Sequence, residues 1–181
     1  MQLASHLIKG IAVRLFGNRK RRPTGCGRPS GAMAPGKESV LLISRDGSVH
    51  IAVQRALEED WMLFSSPDLP QALATAHVLQ SHPPGIIFID KDEIGQDWTG
   101  ALVRLSRLPN SPCLIVLAQK FDSGMWEKVV GMGGYEVLCK PIDPDAMQRV
   151  LRSARSYRKS LEQIRSAGGV PAGQRISHWG G

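Results

Sequence analysis

Short apolar runs and segments of helical periodicity take turns along residues 39–166. Five of the runs are short enough to be buried strands, and each precedes a segment whose apolar residues recur at helical spacing. The predicted strands are residues 40–44, 61–65, 85–90, 113–118 and 135–139. The predicted helices are residues 48–59, 70–81, 98–108, 122–132 and about 143–166. Strict strand–helix alternation favours an α/β fold: a doubly wound, five-stranded parallel sheet with helices on both faces.

The third predicted strand carries the most informative pattern in the chain. Residues 85–89 are apolar without interruption, which indicates burial on both faces, and the run ends on the carboxylate of Asp90. The fifth predicted strand ends just before Lys140. Because the carboxyl ends of parallel strands meet at one rim of a sheet, we expect Asp90 and Lys140 to lie there together. A carboxylate beside a lysine at this rim fits a site for a phosphoryl group.

The net charge of +7 is unevenly distributed along the 181 residues. Residues 1–37 hold eight Lys and Arg and no acid, residues 38–150 hold nine basic and fifteen acidic side chains, and residues 151–181 hold six basic and one acidic. The high isoelectric point therefore says little about what the central part binds. We predict a basic, disordered leader and linker over residues 1–37, one domain over 38–152, and a basic helical extension with a flexible tail over 153–181.

The leader allows two interpretations. Residues 2–16 place apolar side chains on one helical face, and a basic cluster follows at residues 19–22, whereas residues 23–36 are rich in Gly, Pro and Ser. The first interpretation is a non-functional leader upstream of a true start at Met33. The second is a basic amphipathic helix over residues 2–22 that touches anionic lipid or nucleic acid. We favour the first, and the sequence leaves open whether translation starts at Met1 or Met33.

Three cysteines in a chain of this length do not make a disulfide framework. Cys113 opens the fourth predicted strand and Cys139 closes the fifth, so in parallel neighbours their sulfurs would lie roughly 15 Å apart along the strands. That separation excludes a bridge between them. We expect both to be small core residues of a cytoplasmic protein. No apolar run approaches the length of a membrane span.

Four segments follow one another in an order and at a spacing that resemble the CheY-like receiver domain of two-component response regulators. They are residues 40–47, the run that ends on Asp90, residues 112–118, and Cys139-Lys140-Pro141 after a Gly-Gly pair. The resemblance covers about residues 38–152 and implies a flavodoxin-like fold, which agrees with the alternation. It also implies a role in phosphorelay signal transduction, and we do not expect an enzyme.

The resemblance places Asp90 at the phospho-acceptor position and Lys140 at the position that contacts the phosphate. In the family, this aspartate attacks a phosphoryl donor while Mg²⁺, held by an acidic pair on the first loop, neutralises the phosphoryl oxygens. Here the two positions of that pair are Ser44 and Arg45, and Asp46 falls just beyond them. Asp90 and Asp46 are thus the only candidate metal ligands, and we expect weak Mg²⁺ binding and no other cofactor.

Two positions that transmit the signal in the family also differ. The hydroxyl position at the end of the fourth strand is Leu117, and the aromatic switch position, three residues before Lys140, is Val137. The chain therefore resembles a degenerate receiver that has lost both the acidic pair and the usual relay.

Arg45 allows two interpretations. In the first, its guanidinium takes the place of the metal and pairs with Asp90, which would lock one conformation without phosphate. Alternatively, it is an exposed loop arginine whose ion pairs contribute little. The acids of the following loop, Asp92, Glu93 and Asp97, are interpreted as solvated side chains rather than ligands.

Two functional hypotheses lead. The first is a response-regulator receiver without an output domain, phosphorylated on Asp90 by a histidine kinase. The second is a phosphorylation-independent pseudo-receiver that acts as a protein-interaction module. A flavin- or nucleotide-binding protein is disfavoured because no Gly-rich phosphate loop follows the first strand. The expected partners are a histidine kinase or another signalling protein, and a homodimer through the helices after the fourth and fifth strands, which is the family's docking surface. Binding of nucleic acid is disfavoured.

Overall fold

The computed structural model describes residues 38–58, 61–121 and 123–166. These residues form five strands: β1 Glu38–Ile43, β2 Trp61–Ser66, β3 Ile86–Asp90, β4 Cys113–Ala118 and β5 Glu136–Cys139. The α-helices are α1 Gly47–Ala56, α2 Leu69–Val78, α3 Lys91–Ile94, α4 Trp98–Ser106, α5 Ser123–Gly131 and α6 Pro144–Ser166, with a 3₁₀ turn Gly95–Asp97 between α3 and α4. The predicted leader, linker and tail, including the candidate membrane-contacting residues 2–22, lie outside the described residues.

The five strands make one parallel sheet in the order β2-β1-β3-β4-β5. Its two faces bury separate apolar clusters, one under α2, α4 and α5 and the other under α1 and α6. Strands β3 and β4 are buried at every residue because they lie in the middle of the sheet and are covered on both faces. The predicted fold class is confirmed, with β2 at an edge.

Side-chain oxygens satisfy the first backbone amides of helices α1 and α2. Asp46 caps α1 by accepting from the amide of Ser48, and Asp68 caps α2 by accepting from the amide of Gln71. Each cap offsets the missing partner of a first-turn amide. The short helix α3 was not predicted from the sequence, because four residues are too few to show an apolar period.

Helix α6 extends well beyond the sheet face on which it begins. Its first half buries Met147, Leu151 and Ala154. In its second half, the Arg155 guanidinium lies 2.7 Å from the Glu38 carboxylate and packs over the Trp61 ring, both at the amino edge of the sheet. Further along at the same edge, any side chain at Gly85 would collide with the Arg158 guanidinium, and Arg165 donates to the Ser111 hydroxyl. The basic second half of the helix therefore contacts the sheet.

No helix within residues 38–58, 61–121 and 123–166 is long and apolar enough to cross a membrane.

The two described cysteines differ in exposure. The register pairs Ala118 with Cys139, which places Cys113 five residues away along the neighbouring strand. Both thiols are free; Cys113 is buried, but Cys139 is exposed. The expectation that Cys139 is a core residue was wrong, because it is the last residue of an edge strand.

We expect a thiol reagent at pH 8 to modify Cys139 and to leave Cys113 unmodified in the folded protein. Burial raises the pKa of the Cys113 thiol to about 12, despite an opposing effect of Arg158. Only the thiolate reacts, and at pH 8 about one part in ten thousand of that thiol is ionised. Peptide mapping by mass spectrometry measures both sites. Modification of Cys113 at the rate of Cys139 would contradict the buried placement, and labelling in urea provides the positive control.

Candidate functional site

Asp90 lies at the carboxyl end of β3 with its side chain fully buried, 0% exposed. Both of its carboxylate oxygens are hydrogen-bonded. The Ser44 hydroxyl donates to Oδ2 at 2.8 Å, the Lys140 ammonium donates to Oδ1 at 2.8 Å, and the Asp92 amide donates to Oδ1 at 3.2 Å. A buried carboxylate needs such partners, because an unpaired charge in the interior would be strongly destabilising.

Lys140 follows β5, and its backbone amide donates to the Ala118 carbonyl at the end of β4. Its side chain is 10% exposed and reaches two carboxylates, Asp90 Oδ1 at 2.8 Å and Asp92 Oδ2 at 2.9 Å. Asp90 and Lys140 thus lie together at one rim, as predicted. They are positioned by the ends of β3 and β5, the two strands on either side of β4.

Asp92 belongs to the site, although the sequence suggested a solvated loop acid. The Asp90 side chain caps α3 through the Asp92 amide, and this turn directs the Asp92 carboxylate back over the rim. There Oδ2 accepts from the Gln119 amide at 2.8 Å as well as from Lys140. One sequence pattern could have indicated this position: Asp92 follows the strand-ending Asp90 by two residues, which is the spacing at which an aspartate side chain bonds a backbone amide.

The two ionisable neighbours of Asp90 have shifted pKa values. Burial alone would raise the pKa of Asp92, but hydrogen bonds from Lys140 and the Gln119 amide outweigh it and lower that pKa. Partial burial alone would lower the pKa of Lys140, but its bonds to Asp90 and Asp92 outweigh it and raise that pKa. Both shifts favour the charged forms, so the ion pair is maintained over the whole neutral range.

The first loop does not direct its charges at Asp90. Arg45 is 62% exposed and lies 3.8 Å from Asp68, so the ion pair with Asp90 that would have locked the site does not form. The Asp46 carboxylate accepts from the Ser48 amide at 2.8 Å and from the Ser48 hydroxyl at 2.7 Å. These bonds lower the pKa of Asp46. Asp46 therefore stabilises the start of α1.

The two positions of the missing relay are apolar and buried. Leu117 pairs in register with Asp90 and is fully buried in the cluster under α1 and α6. Val137 pairs with Val116 and is buried in the cluster on the opposite face. Neither side chain has a polar atom that could follow a charge added at Asp90.

The residues at this rim do not fit Mg²⁺. The ion takes an octahedron of oxygens and favours carboxylates. Here Asp90 offers its oxygens to three hydrogen-bond donors, and one of them is the Lys140 ammonium. Among the described residues, no group of three or more His, Cys, Asp or Glu is placed to hold a metal ion.

No family model matches the chain, and no curated protein matches it. Solved structures do. The signal receiver domain of an HD domain-containing protein from Pseudomonas fluorescens Pf-5 is 21% identical, with 74% of this chain and 98% of that chain covered and a TM-score of 0.59. A response regulator from Thermotoga maritima is 20% identical, with 66% and 98% covered and a TM-score of 0.58. A pilus assembly-related protein from Burkholderia pseudomallei K96243 is 21% identical, with 69% and 94% covered and a TM-score of 0.56.

Many of the structural neighbours are CheY-like receiver domains of response regulators. The chain therefore has the flavodoxin-like fold of a receiver domain, and nearly the whole length of each of these neighbours is matched.

We expect Lys140→Met to lower the free energy of unfolding by about 3–5 kcal/mol, because it leaves the buried Asp90 carboxylate without its cation. Adding Asp90→Asn to Lys140→Met should recover most of that loss, since a neutral amide needs no counter-charge. Urea unfolding measures all three proteins. The matched control is Lys120→Met, an exposed lysine just beyond β4. A loss no larger than that of the control would contradict the proposed role of the ion pair.

The stability that Lys140 and Asp92 contribute should depend on pH in opposite ways. The pKa of Lys140 is raised above 10.5 by folding, so its contribution is present below pH 10.5 and is lost as pH rises through the raised value. The pKa of Asp92 is lowered below 3.8, so its contribution is present above pH 3.8 and is lost as pH falls through the lowered value. Urea midpoints of the unmodified protein should therefore approach those of Lys140→Met above pH 10.5 and those of Asp92→Asn below pH 3.8. A difference in urea midpoint between the unmodified protein and each variant that stays constant across these pH values would contradict the pKa shifts.

Proposed function

We propose that this chain is a receiver-fold signalling module of two-component type that acts through protein contacts and does not depend on phosphorylation of Asp90. The observation that carries the proposal is the state of the acceptor: Asp90 is fully buried, and both of its oxygens are already bound by protein donors. The site thus has its charge balance without a phosphoryl group or a metal.

The chemistry of acyl phosphate formation explains why this state opposes the reaction. A carboxylate oxygen must reach the phosphorus in line with the leaving group, and cations must neutralise the oxygens of the transferring group. In this chain the Ser44 hydroxyl is bonded to Oδ2, and the Lys140 ammonium that binds Asp90 is shared with Asp92. Phosphorylation would therefore break the Ser44–Asp90 and Lys140–Asp92 hydrogen bonds. The loss of these bonds brings no additional cation to the phosphoryl oxygens.

A second candidate is a conventional phosphorelay receiver. One observation favours it: the Lys140 ammonium lies 2.8 Å from Asp90 Oδ1 at the carboxyl rim. The family resemblance assigns these two residues to the phosphate contact and the phospho-acceptor. In that case a histidine kinase is the partner, and Mg²⁺ would have to bind with Asp90 as its main protein ligand.

Both candidates imply a signalling protein as partner and a cytoplasmic location, which the free thiols of Cys113 and Cys139 support. The surface formed by α5 and α6, which the resemblance assigns to docking and dimerisation, is the proposed interface. Since Val137 is apolar and buried, we propose that this interface is constitutive, whether its partner is another protein or a second copy of the chain.

We expect incubation with acetyl phosphate and millimolar Mg²⁺ to leave the protein unlabelled, at the level of Asp90→Ala, and to leave its tryptophan fluorescence unchanged. Phosphorylation is read by intact mass. Replacing Ser44 and Arg45 together by Asp should restore Mg²⁺ binding, because the first loop then carries two carboxylates, one of them in place of the Ser44 hydroxyl that contacts Asp90. It should not restore switching, since Leu117 offers no hydroxyl.

Rapid, Mg²⁺-dependent labelling of the unmodified protein that disappears in Asp90→Ala would overturn the proposal and favour the conventional receiver. A proper comparison needs all proteins folded, so circular dichroism spectra accompany each variant.

A further inference from the structure

The Lys140 ammonium contacts two carboxylates, and only Asp90 belongs to a strand end. The second, Asp92, reaches Lys140 from the short helix α3. Asp92 is bound as a ligand would be: the ammonium at 2.9 Å and the Gln119 amide at 2.8 Å both donate to its Oδ2 oxygen. The Lys91 ammonium lies 3.7 Å from the other oxygen.

These donors come from three separate places in the fold. Lys140 follows β5, the Gln119 amide follows β4, and Lys91 opens α3. Two cations and a backbone amide converging on one oxyanion make an anion-binding arrangement, since charge-assisted bonds to carboxylates and phosphates have the same geometry and donors. In this structure, the anion in that arrangement is the side-chain carboxylate of Asp92.

The attachment of Asp92 is much weaker than that of Asp90. The Asp92 side chain is 25% exposed, whereas Asp90 is 0% exposed. Helix α3 has four residues and buries none of them, and it ends at Gly95, whose φ of +75° suits glycine. Releasing the Asp92 side chain therefore displaces no buried residue of α3, and the half-buried Ile94 can keep the turn packed against the core.

We propose that Asp92 is a displaceable internal anion: it occupies an oxyanion site formed by Lys140, Lys91 and the Gln119 amide, and it keeps small phosphate-like ligands out of that site. The inference deepens the proposed function, on which it rests, because it explains how the rim is kept closed without phosphate. The ligand class that the vacated site would take is a small, doubly charged oxyanion such as inorganic phosphate or sulfate.

The test is a calorimetric titration of the full chain with inorganic phosphate at constant ionic strength. We expect Asp92→Ala to bind phosphate at least about tenfold more tightly than the unmodified protein, since the freed donors each form charge-assisted bonds. The matched control is Glu93→Ala, which removes the same charge from the next residue of α3 and should bind phosphate as the unmodified protein does. Sulfate should reproduce the ranking.

A purely structural role for Asp92 predicts a different result. Asp92→Ala would then lower the urea midpoint without any gain in phosphate affinity over Glu93→Ala, and this outcome would overturn the proposal. Asp92→Asn provides a second variant that keeps the shape and the acceptor for Gln119. It should show a smaller gain in affinity than Asp92→Ala, and the absence of any gain in both variants likewise overturns the proposal.

The two proposals fail in different measurements. Labelling of the unmodified protein by acetyl phosphate contradicts the proposed function, whereas the titration of Asp92→Ala with non-reactive phosphate decides the role of Asp92. A gain in affinity without labelling of the unmodified protein supports both.

Discussion

The buried charge of Asp90 is the constraint on which the rest of this rim depends. A carboxylate with no exposure must be paired, and it is: by Lys140 across β4, by the Ser44 hydroxyl at the end of β1, and by an amide of α3. Each partner comes from a different element, so satisfying one charge fixes the relative positions of three loops. The pairing of this one buried charge therefore joins the ends of β1, β3 and β5 at the rim.

Patterns along the chain were sufficient to predict the fold and the pair at its centre. Uninterrupted apolar runs identified β3 and β4, and the parallel arrangement then required Asp90 and Lys140 to share a rim. Both inferences depend on the spacing of apolar residues and on the polarity of the strand ends, which can be read directly from the sequence. They needed no knowledge of where any exposed side chain points.

The parts that sequence did not predict depend on side-chain direction. Arg45 faces Asp68 rather than Asp90, and Asp92 turns inward because a one-turn helix follows β3. Cys139 is exposed because it is the last residue of an edge strand. Each outcome is decided by a local turn or by an edge of the sheet, where side-chain direction depends on one loop's backbone, and no periodicity in the sequence records it.

Helix α6 begins just after Lys140 and ends beside Ser111 at the opposite edge of the sheet. Its 23 residues correspond to about 35 Å of rise. The second half of the helix is attached to the amino edge of the sheet, because Arg155 contacts Glu38 and Trp61 and Arg165 donates to Ser111. One uninterrupted helix therefore spans the distance between the loop that follows Lys140 and the opposite edge of the sheet.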